Sequence, residues 1–206
     1  MQISSILKQV WFNPRAVFNS IDKKNNLSTL IIYSLLFVGG LSYGINRAEV
    51  KSFGDTQSLS ELLLMIFFMS GFGGLFSFQL LAWTINKVSC KFFRGKGTFE
   101  MTRKALVLSL VPSIPILFLF LISILIFGIE FFQSDRPTIY NSMILNIVYW
   151  VLITLITILS LWRPFIFIPA LSQAQKISNL KAFFSVAISF LIPFCIGLII
   201  AVLYLL

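Results

Sequence analysis

Long apolar runs alternate with short polar segments along this chain. Five runs, at about 27–45, 59–86, 105–131, 143–169 and 183–206, are each long enough to cross a bilayer, which takes roughly 20 helical residues. The second, third and fourth exceed that minimum and must tilt, kink or protrude. Pro112 and Pro115 predict a kink near the start of the third run, and Pro193 another in the fifth, since proline removes a helix hydrogen bond and crowds the preceding turn. Ahead of the first run the pattern is weaker but still periodic. Ile3, Ile6, Leu7, Val10 and Trp11 fall on one helical face, opposite Ser4, Ser5, Lys8 and Gln9. Asn13 and Pro14 then mark the cap and first position of a second short helix, with Val17, Phe18 and Ile21 on one side. The pattern predicts an amphipathic leader over 1–26 and a five-helix membrane domain over 27–206, an all-α integral membrane protein. The leader lacks the compact apolar core of a signal peptide and carries Asp22, Lys23 and Lys24 late.

Composition strengthens the membrane reading. Of 206 residues, 58% are hydrophobic and 11% charged, against about 25% charged in soluble domains. So few charges do not cover a water-facing surface of this size, and lipid is the remaining solvent. The formal charge is +9, and its placement matters more than its sum. Lys8, Arg15, Lys23 and Lys24 precede the first run; Lys87, Lys91, Arg94, Lys96, Arg103 and Lys104 follow the second; Arg163, Lys176 and Lys181 lie at or after the end of the fourth. With five spans these thirteen bases share one side, while Glu49, Asp55, Glu61, Glu130 and Asp135 gather at the other. Cytoplasmic loops carry the excess of lysine and arginine, which predicts an N-in/C-out arrangement. The expected location is a bacterial cytoplasmic membrane, and the basic charge is assigned to lipid, not nucleic acid.

Chemistry is sparse. There is no histidine, the two cysteines Cys90 and Cys195 are not placed to pair, and no nucleophile, base or metal-ligand cluster stands out. The expectation is a protein that is not an enzyme and holds no cofactor or metal. "FRGKGTF", Phe93 to Phe99, lacks the spacing of a phosphate-binding P-loop and follows no strand. Its surrounding bases, Lys91, Arg94, Lys96, Arg103 and Lys104, are candidate contacts for anionic headgroups, worth about 1 kcal/mol each. Trp11, Pro14 and Arg15 in "WFNPRAVF" are further interface candidates, with Trp11 anchoring a leader that either lies flat at the headgroups or packs on the spans. Inside the membrane, Gln79, Asn146, Thr154 and Arg163 are the candidate polar positions. Gly71 and Gly74, in "SGFGGLFS", make a face for close approach of another helix, and the Gly39-Gly40 pair fits either packing or a local break.

Four features resemble the Yip-type (Ypt-interacting protein) membrane domain. They are the tryptophan followed by Pro-Arg before the first span; "GKGTFEMTRKALVLSLVPSIP", which is similar to a Gly-x-Gly segment leading into an Ala-x-x-x-Ser-x-x-Pro span at Gly95, Gly97, Ala105, Ser109 and Pro112; Trp162 followed by "ALSQAQKISNLKAF"; and the five-span plan itself. The resemblance implies a protein without catalytic residues. Eukaryotic members bind prenylated Rab GTPases and act in early secretory traffic through a longer N-terminal region; with about 26 residues there, this chain is closer to the short bacterial members. Two functions are therefore expected. The first is interaction at the cytoplasmic face, with lipid and with a membrane-protein partner or a second copy. The alternative is a small transporter, channel or lipid-handling protein using the polar faces of the second and fourth spans.

Overall fold

The computed structural model describes residues 8–24 and 27–191, with the side chains of 22–24 excepted. Every regular element among them is helical. In chain order they are α1 (Pro14–Lys24), α2 (Thr29–Val50), α3 (Leu59–Phe93), α4 (Phe99–Ser109), α5 (Ser113–Phe127, continued by a 3-10 turn Gly128–Phe132), α6 (Pro137–Asn141), α7 (Met143–Gln175) and α8 (Asn179–Leu191). Four of the helical runs, Thr29–Val50, Leu59–Phe93, Ser113–Phe132 and Met143–Gln175, are long and apolar enough to cross a membrane. Their outward side chains include Leu125 at 85%, Phe76 at 77% and Ile144 at 75% exposure. Apolar groups on this scale facing outward call for lipid around them. The fifth predicted span, 183–206, lies outside the described residues beyond Leu191.

The boundaries depart from the sequence reading where caps and prolines act. Ser28 caps α2 by accepting from the Ile31 amide, and Ser58 with Glu61 forms a capping box at the start of α3. The predicted third span, 105–131, is two helices. α4 ends at Ser109, a turn runs through Leu110 to Pro112, and α5 begins at Ser113. Pro112 and Pro115 lack the amides that a continuous helix would need there.

The described residues fall into two compact units. One draws on 28–77 and 109–164, the other on 1–27, 78–108 and 165–206. In the first, α2 packs on a π-helical segment of α3, Ile66–Phe72, which was not foreseen from the sequence. The reason for the close contact is glycine. A Cβ on Gly74 would stand 2.6 Å from the Cα of Gly40, and one on Gly71 would stand 2.6 Å from the Phe37 ring. A Cβ on Gly40 would collide with the Ser70 carbonyl oxygen. Gly40 therefore serves packing, with α2 unbroken through it. Gly73 has nothing within 4 Å of its missing Cβ. Replacing Gly74 with leucine should lower the melting temperature in detergent, an overpacking loss of about 1–3 kcal/mol, while Gly73→Leu leaves it unchanged or raises it. Equal melting of the two variants would mean that the crossing relaxes freely.

Below that crossing the same unit builds an apolar core from Ile45, Leu62, Ile116, Phe120, Phe131, Phe132, Ile139, Tyr149 and Ile156. At its edge the loops are tied by polar contacts. Asp55 accepts from the Ser134 amide at 3.0 Å and its hydroxyl at 2.7 Å. Arg136 is only 8% exposed. Its guanidinium donates to Glu49 at 2.9 Å, to the Tyr149 hydroxyl and, through Nε, to the Gln133 carbonyl at 2.8 Å.

In the second unit, Val10, Val17, Phe18 and Ile21 are at most 2% exposed. The face predicted to meet headgroups is thus covered by protein, as in the packed version of the leader. The described part begins with a short turn at Lys8; Ile3, Ile6 and Leu7 lie outside the described residues.

Candidate functional site

The second unit concentrates its polar groups around one side chain, Gln175, which is fully buried. It closes α7, and Lys176 beyond it takes a left-handed conformation, φ 56°. The Ile177 amide then reaches back to the Ser172 carbonyl at 3.0 Å and the Lys176 amide to the Gln173 carbonyl at 3.3 Å. This is the Schellman ending of a helix, with lysine where glycine is usual. The Gln175 carbonyl accepts instead from the Lys96 amide, 2.9 Å away. Its side chain then engages the same loop. Oε1 accepts from the Gly97 amide at 3.1 Å, and Nε2 lies 2.6 Å from the Thr102 hydroxyl and 2.8 Å from the Asn86 amide. In the opposite orientation, the Asn86 amide nitrogen would donate to the Gly97 and Thr98 carbonyls, each at 3.3 Å. Either way its hydrogen bonds stay within this cluster.

The loop can come this close because of its glycines. A Cβ on Gly97 would collide with the Ala174 carbonyl oxygen, and one on Gly95 would stand 2.5 Å from Gln175 Oε1. The Gly95 amide also bonds back to the Ser89 carbonyl at 3.0 Å, just past Arg94, which is left-handed at φ 57°. The loop from Phe93 to Thr98 is therefore held by the amides of Gly95, Lys96 and Gly97, and its cations project from a defined backbone.

The basic residues divide. Lys91, Arg94 and Lys96 are exposed and form no ion pair among the described residues. Arg103 is committed internally, to Glu100 at 2.7 Å and over the Phe99 ring at 5.9 Å, and Lys104 is 7% exposed. These two were expected at lipid headgroups with the others; the structure uses them within the protein. A glutamate three residues before an arginine on one helix is the pairing that decides it. Arg15 donates to Asn179 Oδ1 at 2.6 Å, joining α1 to the start of α8, while Pro14 opens α1 and Trp11 is half-buried. Gln175, Ser89 and Thr102 were missed from sequence.

A match to the Yip1 domain family model covers residues 8–202. The chain belongs to the Yip1 domain family. No curated protein and no solved structure matches it. In this Yip1 domain the Gly-x-Gly segment acts as a docking strip for the end of α7, which gives the motif a physical reason.

The polar positions expected within the spans do not converge. Asn146 and Thr154 share a groove of ≈ 570 Å³ with Met143, Ile147, Trp150, Val151 and Leu155, and all seven lie on one flank of α7. Gln79 belongs to the other unit and does not line it. Arg163, also on α7, has its Nε closed off from solvent with no acceptor.

Proposed function

We propose that this Yip1-family membrane protein works without catalysis, by holding lipid and a membrane partner at its cytoplasmic face. The observation that carries this is the loop at Gly95–Gly97, where hydrogen bonds to Ser89 and the buried Gln175 fix the backbone while Lys91, Arg94 and Lys96 stay exposed. Unpaired cations on a fixed loop suit anionic headgroups, whose attraction fades within a Debye length of the surface. The partner is a membrane protein or a second copy of the chain. The arrangement that places this loop inside has five spans with the N-terminus cytoplasmic, in a bacterial cytoplasmic membrane, as the basic residues at one end suggest.

Topology tests it first. With both native cysteines replaced by serine, single cysteines at Lys96 and Ser178 should react with a reagent confined to the cytoplasm. Those at Lys51 and Asp135 should react only from outside. All four positions are exposed, so silence at Lys96 together with reaction at Lys51 would reverse the orientation and remove the cytoplasmic reading. Co-purification from native membranes tests the second half. Anionic phospholipid should be enriched with the parent and fall toward bulk composition in Lys91→Gln/Arg94→Gln/Lys96→Gln.

A further inference from the structure

α3 and α7 end in the same way. They stop at Phe93 and at Gln175, and the next residue turns out of each helix in the left-handed region, Arg94 at φ 57° and Lys176 at φ 56°. Helices commonly leave through this conformation, and glycine is the usual residue because a Cβ is crowded there. Among the described residues three non-glycines have positive φ, and two of them are these cations. Glycine stands beside Arg94, yet Gly95 does not take the left-handed place. Strain held under a charged, exposed side chain is a reason to look for work done by that side chain.

The fold joins the two endings. The Lys96 amide donates to the Gln175 carbonyl at 2.9 Å, and Lys176 follows Gln175 directly. Lys96 and Lys176 are therefore one hydrogen bond apart along the backbone, with Arg94 two residues before Lys96. All three side chains are exposed, and none forms an ion pair among the described residues. The carboxylate closest to the loop in sequence, Glu100, is taken by Arg103 at 2.7 Å.

Number and kind of charge define the anion. A phosphodiester offers three cations one negative charge and two terminal oxygens. A phosphomonoester brings nearly two charges and three such oxygens. An arginine can take two of those oxygens bidentately, while a lysine acts as a point charge.

We infer that Arg94, Lys96 and Lys176 bind a phosphomonoester, carried either by a lipid such as phosphatidic acid or by a small soluble ester. The inference rests on the reading that this loop meets anions, and adds to it Lys176 and the class of phosphate.

The test uses the intact protein in phosphatidylcholine nanodiscs. In the lipid arm these contain phosphatidic acid or phosphatidylglycerol at matched charge, and native mass spectrometry reads the lipid retained. In the soluble arm the discs are phosphatidylcholine alone, titrated calorimetrically with glycerol 3-phosphate or dimethyl phosphate. The parent should prefer the monoester about fivefold in one arm, the worth of one further charge contact. Retention of phosphatidic acid assigns the lipid source, and binding of glycerol 3-phosphate alone assigns the soluble one. Lys176→Gln should weaken monoester binding about fivefold. Lys181→Gln removes the same charge from an exposed position on α8 and should leave it nearly unchanged. Lys176→Gly relieves the left-handed backbone, so it should melt at or above the parent's temperature while binding as weakly as Lys176→Gln. Equal losses from Lys176→Gln and Lys181→Gln would reduce the effect to net charge and overturn the inference. A Lys176→Gly protein that binds like the parent would overturn it too. Equal affinity for monoester and diester overturns it while the anion-binding loop stands. Retention of neither anionic lipid above phosphatidylcholine, with no soluble binding, removes both.

Discussion

Arg136→Met should lower unfolding free energy by about 3–5 kcal/mol, the range for removing one partner of a buried ion pair. The guanidinium joins Glu49 at the end of α2, the Gln133 carbonyl in the loop and Tyr149 in α7, with side-chain exposures of 9% for Arg136 and 15% for Glu49. It also lies 4.8 Å from the centre of the Tyr149 ring. Without it, Glu49 keeps only the Tyr149 hydroxyl, at 2.9 Å, and its charge stays among apolar groups. The pair with Glu49→Gln provides the check. The double variant should be more stable than Arg136→Met alone, because no uncompensated charge remains. SDS or thermal unfolding in detergent measures both. A loss below about 1 kcal/mol for Arg136→Met would be that of a solvated surface pair.

Acid should act on the neighbouring contact. The Ser134 hydroxyl, then its amide, hold the exposed Asp55 carboxyl below the ordinary carboxylate range, with Arg136 assisting against a small desolvation. A depressed folded value means stability that is present above the unfolded pKa and lost as pH falls through the folded one. Asp55→Asn should therefore flatten the acid limb of the stability curve by lowering its neutral plateau, with stability below the folded pKa nearly unchanged.

How much of this was legible in the sequence differs by kind of feature. Four spans were visible because apolar length is a direct requirement of the bilayer. The break at Leu110–Pro112 was visible in outline, since proline acts locally, although a kink was expected and two separate helices are found. The π-helical turn at Ile66–Phe72 was hidden, because a wider helix and an ordinary one share the same apolar run. Gly71 and Gly74 stood out by type, but their neighbours, Phe37 and Gly40, depend on a crossing that spacing does not reveal. Among the headgroup candidates the ion pair of Arg103 was legible, since Glu100 stands three residues before it on one helix. Gln175 was hidden for a different reason. An uncharged amide in a run of small polar residues looks like solvated loop until the fold brings Gly97 to it.

Gln175 carries the last prediction. Gln175→Leu keeps approximate size but removes the acceptor of the Gly97 amide and the donor to Asn86 and Thr102. Each buried polar group left unpaired costs about 1–3 kcal/mol, so the loss should rival that at Arg136. Gly97→Ala reaches the same end from the other side, because its Cβ would meet the Ala174 carbonyl and lift the strip off α7. Both changes free one loop, so the double variant should fall little below the worse single one, a departure from additivity expected for groups in contact. Hydrogen exchange gives the readout that a general loss of stability would not. The Lys96 and Gly97 amides, bonded to Gln175 at 2.9 and 3.1 Å, should be slow in the parent. In both variants they should be fast, while amides across Gly40 and Gly74 keep their protection. Fast exchange at Lys96 and Gly97 in the parent would mean that the strip is not docked. The cations at Lys91, Arg94 and Lys96 would then have no fixed geometry to offer a headgroup.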